Sequence, residues 1–301
     1  MKSLNAILDL AKRIGPKKVA IARAEDEEVL IALKRAKEEK IMEGILIGTK
    51  EKICSLAKEI GLNLKDFEII DEPDGYKASL LCCELIHQNK ADVMMKGSVD
   101  TGTFMKAILD KEKGLLEGRL LSHVAIFEIP DYPKLLLLTD AAINIAPDFR
   151  EKAEIIENAT GVAHSLGIET PLVACVAAME KINFKMPATV DAAILSMMSK
   201  RGQINGAVVD GPFGLDNAVS LESAQIKGVK SPVAGRADII LVPDIECGNA
   251  IYKTLIEFAK AKCAAIVVGT RAPVVLTSRA DSGQTKFISI ALGVVNTIKS
   301  K

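Results

Sequence analysis

From Lys17 onward, short apolar runs alternate with amphipathic helical stretches, and this alternation does most to limit the folds open to the chain. "KKVAIARA" reads as a strand and "EDEEVLIALKRAKEEKI" as a helix. The pairs "EGILIGT" and "KEKICSLAKEIGL", "DFEIIDEP" and "GYKASLLCCELIHQNKA", and "DVMMKGSVDTG" and "TFMKAILDKEKG" repeat the pattern. Such repetition implies a largely parallel sheet covered on both faces by helices. "SHVAIFEIP" and "KLLLLTDAA" then lie too close for a crossover and read as an antiparallel hairpin, a natural domain border. After "INIAPD" the alternation resumes, with "NAVSLESAQIKG" read as a helix and "ADIILVPDIECG" as a strand followed by a Gly-rich turn. The expectation is an α/β protein of two doubly wound domains with a cleft between them.

Composition narrows the function. A chain of 301 residues is long for one core. Apolar residues make up 49% and charged residues 26%, a globular balance. Lys plus Arg equals Asp plus Glu at 39 each, so no global charge favours nucleic acid or an anionic membrane. An anionic ligand must be held by a local cluster. No apolar run reaches the roughly 18–20 residues of a membrane span, and the opening "MKSLNAILDLAKRIGPKK" reads as an amphipathic helix rather than a signal peptide. The cysteines, at 54, 82, 83, 175, 247 and 263, form no CxxC pair. They read as buried free thiols of a reducing cytoplasm, with Cys247 set apart by its Gly-rich surroundings.

In parallel sheets ligands bind beyond the carboxyl ends of strands, so the strand-to-helix turns carry the information. Four are polar and small. In "MKGSVDTGTFMK", Gly97 and Gly102 allow close backbone approach, and Ser98, Thr101 and Thr103 supply hydroxyls. Lys96 and Lys106 add charge, and the helix that starts here favours an anion at its N-terminus. The same residues also suit an ordinary capped turn. "DGPFGLDNA" contains Gly211 and Pro212, a good turn in its own right. "SPVAGRADIILVPDIECGNAIYK" offers Arg236 to a phosphate and the Gly248–Asn249 backbone to a ligand, and "VAGRAD" reads equally as a plain loop.

The fourth turn, "LTSRADSGQTK", packs Ser278, Arg279 and Asp281 together. A guanidinium grips an oxyanion through two parallel hydrogen bonds. A serine hydroxyl can bond an attacking or leaving atom, and an aspartate can take a proton or orient the arginine. The alternative is a surface turn in which Ser278 caps a helix and Arg279–Asp281 is a weak ion pair. Other templates fit badly. There is no GxSxG elbow and no HExxH or Cys/His cluster. The histidines, His87, His123 and His164, are scattered without metal-ligand spacing.

Taken together, "KKVAIARAEDEEVL", "ADVMMKGSVDTGTF", "SHVAIFE", "LLTDAAIN", "KMPATVDAAILSMMSKRGQINGAVVDGP", "VAGRADIILVPDIECGNAIYKTL" and "VVGTRAPVVLTSRADS" resemble the phosphate acetyl/butyryltransferase family over nearly the whole chain. The resemblance implies a fold similar to isocitrate and isopropylmalate dehydrogenases, with the C-terminal segment returning to the first domain. The division it implies is 1–139 plus 268–301 for one domain and 140–267 for the other. It implies reversible transfer of an acyl group, butyryl above all, between coenzyme A and phosphate in a direct ternary complex. Acyl-CoA, phosphate and acyl phosphate are then the partners, coenzyme A is a substrate rather than a bound cofactor, and no metal is needed. A cytoplasmic homodimer or larger homo-oligomer follows from the same likeness. Acetyl transfer, or a metal- and NAD-dependent dehydrogenase of the same architecture, stands as the alternative.

The resemblance also assigns roles. Ser278 maps to the serine that contacts the CoA sulfur, and Arg279 to the arginine that meets the developing charge. Acetyl-transferring members place an aspartate base seven residues after that serine. Here the position is Thr285, which leaves Asp281 as the substitute base. Lys106 matches a phosphate-binding arginine, with Arg119 as a second candidate beside Ser98, Thr101 and Thr103. Gly211, Pro212, Arg236, Gly248 and Asn249 are the expected coenzyme A contacts.

Overall fold

The computed structural model describes residues 1–278 and 281–298. They fall into two compact units: a first of Leu4–Arg119 with Ala264–Ile298, and a second of Met1–Ser3 with Leu120–Cys263.

The first unit begins with α1 (Asn5–Ile14), β1 (Lys17–Ala22), α2 (Glu27–Glu38), β2 (Met42–Gly48), α3 (Lys50–Glu59), β3 (Glu68–Asp71), α4 (Gly75–His87), β4 (Val93–Lys96) and α5 (Thr101–Ile108). The second runs through β5 (Ser122–Glu128), β6 (Leu136–Thr139), α6 (Phe149–Ser165), β7 (Leu172–Val176), α7 (Pro187–Lys200), β8 (Val208–Phe213), α8 (Leu215–Val219), α9 (Leu221–Ile226), β9 (Ile239–Leu241) and α10 (Ile245–Glu257). The chain then returns to the first unit through β10 (Lys262–Val268), β11 (Val274–Val275) and α11 (Gly283–Val295).

In the first unit the strand order is β3-β2-β1-β4-β11-β10. All neighbours are parallel except β10 and β11. In the second it is β5-β6-β9-β7-β8, parallel but for the β5–β6 hairpin. Strands buried on both faces read as continuous apolar runs, and β1, β2, β4 and β11 are of this kind: Val19–Ala22, Ile45–Ile47, Val93–Met95 and Val274–Val275 are all at most 4% exposed. Helix starts follow local chemistry. Asp26, Asp74, Asp100, Asp148, Asp244 and Ser282 each accept a backbone N–H of the first turn, which satisfies donors that the helix leaves unpaired. At α6 the cap is reciprocal, because Glu151 reaches back to the Asp148 N–H. Helix α11 packs against α1 and α2 and is apolar on nearly every side, as expected of a buried helix.

The structure departs from the sequence reading in three places. The hairpin at residues 122–139 groups with the second unit, not the first, because β6 pairs in parallel with β9 (Leu137 with Ile239, Leu138 with Ile240). The division therefore falls near residues 119 and 263. "NAVSLESAQIKG" forms two short helices, since Ser220 is extended (φ −117°, ψ 118°) and uses its hydroxyl to cap α9. Cys247, Gly248 and Asn249 lie in the first turn of α10 rather than in a loop, because Asp244 starts that helix earlier.

Gly97, the first residue after β4, shows how tightly the strand ends are packed. A Cβ there would stand 2.0 Å from the Arg23 carbonyl oxygen, a backbone atom that cannot swing aside. Gly97→Ala should destabilise the protein by about 3 kcal/mol or more, at or above the usual range for overpacking. Urea unfolding of the purified variant measures this, and an unchanged midpoint would contradict the packing described here.

Candidate active site

Strands β1, β4 and β11 are parallel neighbours, so their carboxyl ends share one edge of the first unit. Two of the polar turns read from the sequence leave from that edge. Val274 stands opposite Met94 and Val275 opposite Met95, so the chain leaves β4 at Lys96 and β11 at Leu276 side by side.

The turn after β4 wraps around an ammonium group. Lys96 is 3% exposed, and its Nζ donates to the carbonyl oxygens of Gly97 (3.1 Å) and Val99 (3.0 Å). The Ser98 N–H donates to the Arg23 carbonyl at 2.7 Å, which ties the turn to the end of β1. Asp100 caps α5 and accepts the Thr103 N–H at 2.8 Å. That donor, expected from the sequence to face an anion, is therefore held by a carboxylate. Thr101 and Lys106 are exposed. The Lys106 ammonium lies 5.2 Å from the centre of the Tyr76 ring, a cation–π contact that steadies a long side chain. Ser98, Thr101, Thr103 and Lys106 are thus brought together on one turn and the helix that follows it.

Arg119 is not brought to this turn by any element. It is exposed and follows Leu116, which bridges to Thr270 at the approach to β11, the strand-start side of the first unit.

In the turn after β11, Ser278 is exposed and its N–H donates to Asp281 Oδ2 at 2.7 Å. The Asp281 N–H returns to the Ser278 carbonyl at 3.2 Å. The aspartate is thus fixed to the serine's backbone. Arg279 lies outside the described residues. Ser278 does not cap the next helix. Ser282 does, and its Oγ engages both the N–H (3.3 Å) and the hydroxyl (3.4 Å) of Thr285.

Lys286, which the sequence reading passed over, lies behind this turn. It is 2% exposed, and its Nζ donates to the carbonyls of Asp281 (2.5 Å) and Ser278 (3.4 Å). The available signal was a lone lysine opening the apolar run "KFISIALGVV", since lysines are almost never fully buried unless partnered. Arg23 and Glu25 at the end of β1 also escaped notice. Arg23 Nε donates to Glu25 Oε1 at 2.5 Å, and Glu25 Oε1 also accepts the Thr49 hydroxyl at 3.1 Å.

In the second unit the coenzyme A candidates separate. Gly211 and Pro212 lie inside β8 near its carboxyl end, where a Cβ on Gly211 would stand 2.8 Å from the Cys175 carbonyl. Gly248, in α10, lies where a Cβ would be 2.7 Å from the Asp140 carbonyl, and Asn249 beside it is exposed. Both pairs belong to the strand-end edge of this unit. Arg236 does not. It is exposed in the loop that enters β9, and its carbonyl accepts the Lys134 ammonium at 2.6 Å. Because β9 is parallel to β7 and β6, a loop before β9 belongs to the opposite edge.

Cys54 is exposed rather than buried as expected, whereas Cys82, Cys83, Cys175 and Cys247 are poor nucleophiles. Burial pushes the Cys83 and Cys175 thiols up to about 12 and raises Cys82 well above the usual range. Burial, with Asp244 nearby, also raises Cys247. A raised pKa keeps a thiol protonated and unreactive at neutral pH.

Comparison with known proteins gives this arrangement a context. Residues 3–78 and 76–294 match the family described as phosphate acetyl/butaryl transferase. The chain is 50% identical over 300 residues to a phosphate butyryltransferase of Clostridium beijerinckii, covering 100% of this chain and 99% of that protein. It is 46% identical over 292 residues to a phosphate acetyltransferase of Thermotoga maritima, covering 97% and 99%. The crystal structure of a branched-chain phosphotransacylase from Enterococcus faecalis V583 superposes with a TM-score of 0.83 at 35% identity, covering 94% of this chain and 100% of that one. The chain belongs to the phosphate acetyl/butaryl transferase family.

Proposed function

We propose that this protein catalyses reversible acyl transfer between coenzyme A and inorganic phosphate, with butyryl-CoA and butyryl phosphate as its acyl substrates. The observation that carries this reading is identity of 50% along the whole chain to a phosphate butyryltransferase. The adjacent exits of β4 and β11 support it, since they set a hydroxyl- and ammonium-bearing turn beside the Ser278–Asp281 turn.

In the forward direction a phosphate oxygen attacks the thioester carbonyl carbon. The C–O bond forms, the C–S bond breaks, and coenzyme A leaves as a thiolate that takes up a proton. Ser98, Thr101, Thr103 and Lys106 hold the phosphate, and Arg119, on the strand-start side, is left out of this role. Arg279 steadies the negative charge on the carbonyl oxygen, and Ser278 contacts the sulfur. Asp281 exchanges the thiol proton. A carboxylate ordinarily titrates near 4 and a thiol near 8.5 (both approximate), so the site must close much of that gap. Gly248–Asn249, with Gly211–Pro212, are the coenzyme A contacts proposed in the second unit. No acyl-enzyme is needed, in keeping with the raised thiol pKa values. The same reading carries a cytoplasmic homodimer or larger oligomer. Sedimentation at the monomer mass would count against it.

Purified protein given butyryl-CoA and phosphate should release free thiol, with its best rate at or near four carbons in a series from two to six. No release with any member of the series would refute the transferase assignment, and a clear optimum at two carbons would reassign it to acetyl transfer. Arg279→Ala should lower turnover by about 100-fold or more, the usual loss when an oxyanion donor is removed. Asp281→Asn should slow the reaction far more than Thr285→Ala, and the reverse order would move the proton-exchanging role to residue 285.

A further inference from the structure

We propose that Lys286 is a positioning residue for the turn that carries Ser278 and Asp281, an inference that rests on the transferase reading above. Its ammonium is buried beneath that turn and bonded to the carbonyls of Asp281 and Ser278, the two described residues that bracket the segment. Ser278 itself is exposed, so Lys286 acts on the inner side of a turn whose outer side carries the hydroxyl.

The lysine does more than fill space. Its helix is otherwise mostly apolar, with Phe287, Ile288, Ile290, Ala291 and Leu292 buried along it and Gln284, Thr285 and Ser289 its remaining polar side chains. An unbranched apolar side chain fills much of the same space but leaves the Asp281 carbonyl without its ammonium donor, which costs some stability. What the ammonium adds is a fixed centre for carbonyl dipoles. Pulling the Asp281 carbonyl inward sets the rotation of the Asp281–Ser282 peptide plane, since a trans peptide is rigid. The Asp281 side chain then closes on the Ser278 N–H at 2.7 Å, and the Asp281 N–H on the Ser278 carbonyl at 3.2 Å. The serine and the aspartate are thereby held at one separation.

The surroundings of Lys286 place it within the turn rather than in a separate ion pair. The nearby carboxylate of Glu28 is committed to the Gly283 N–H at the start of α11. The Asp281 carboxylate faces the Ser278 backbone. Arg35, from α2, lies over the Phe287 ring at 4.5 Å and donates to Gln284. The ammonium bonds to main-chain oxygens.

Lys286→Met tests this. The expected result is a folded protein with a thermal midpoint lowered by no more than about a few degrees, a kcat lower by about 30- to 100-fold with butyryl-CoA and phosphate, as expected when reacting groups shift by about 1 Å, and a little-changed KM for both substrates. Lys286→Ala should be impaired in the same way and should regain activity, saturably, when propylammonium is added. A role limited to packing predicts neither the KM–kcat split nor the amine rescue. Wild-type kcat in Lys286→Met, or a lowered thermal midpoint with no rescue of the alanine variant, would overturn the inference. Ser278→Ala separates this from failure of the underlying reading. If Ser278→Ala is impaired while Lys286→Met is not, only the positioning role falls. If neither is impaired, the assignment of the turn to the reaction falls with it.

Discussion

The arrangement depends on one constraint, the parallel register that holds β4 between β1 and β11. A strand enclosed on both sides fixes where its chain can emerge. The backbone leaves β4 directly against the Arg23 carbonyl, which admits glycine alone, and turns back over its own lysine. The neighbouring exit from β11 is fixed by the same ladder. Side chains far apart in sequence, Ser98 and Ser278 among them, are therefore ordered along one edge by main-chain hydrogen bonds before any side-chain contact contributes.

That edge gathers buried positive charge in a chain of zero net charge. Lys96 and Lys286 each lie beneath a turn, spending their donors on carbonyl oxygens. Buried positive charge is screened less by salt than charge at the surface. The second unit orders its strand ends with carboxylates instead. Asp140 accepts the Ala142 and Ile143 N–H groups at 2.9 and 3.0 Å, and Asp210 accepts the Ser196 and Ser231 hydroxyls at 2.7 and 2.6 Å. Lys152 and Asp191 form a largely buried pair at 2.7 Å beside Cys175 and Val242.

Much of this was legible because it is local. Alternating apolar runs mark the strands, and the short spacing of "SHVAIFEIP" and "KLLLLTDAA" marks the hairpin. What escaped depends on pairing across long distances. Nothing near residues 122–139 shows that β6 will lie beside β9, about a hundred residues later, so the unit boundary was misplaced. Arg236 was offered to a phosphate because a guanidinium suits one, yet the direction of β9 puts it on the far edge. Gly248 looked like a turn because a glycine demanded by close approach to Asp140 resembles one demanded by φ. Lys286 was hidden because a charged residue on an apolar helix is ordinarily read as solvent-facing.

The return of the chain to the first unit has a consequence for biosynthesis. Until β11 is made, β4 is an open edge with unpaired main-chain groups, and α1 and α2 lack the helix that covers them. Translating residues 97–273 takes on the order of 10–40 s at ordinary ribosomal speeds. For that interval the nascent chain carries an adhesive strand next to uncovered aliphatic surface. The second unit, whose strands are contiguous along the chain, is free to fold first. The order of the strands thus sets when that edge is covered, and the final helix acts as the latch that ends the exposure.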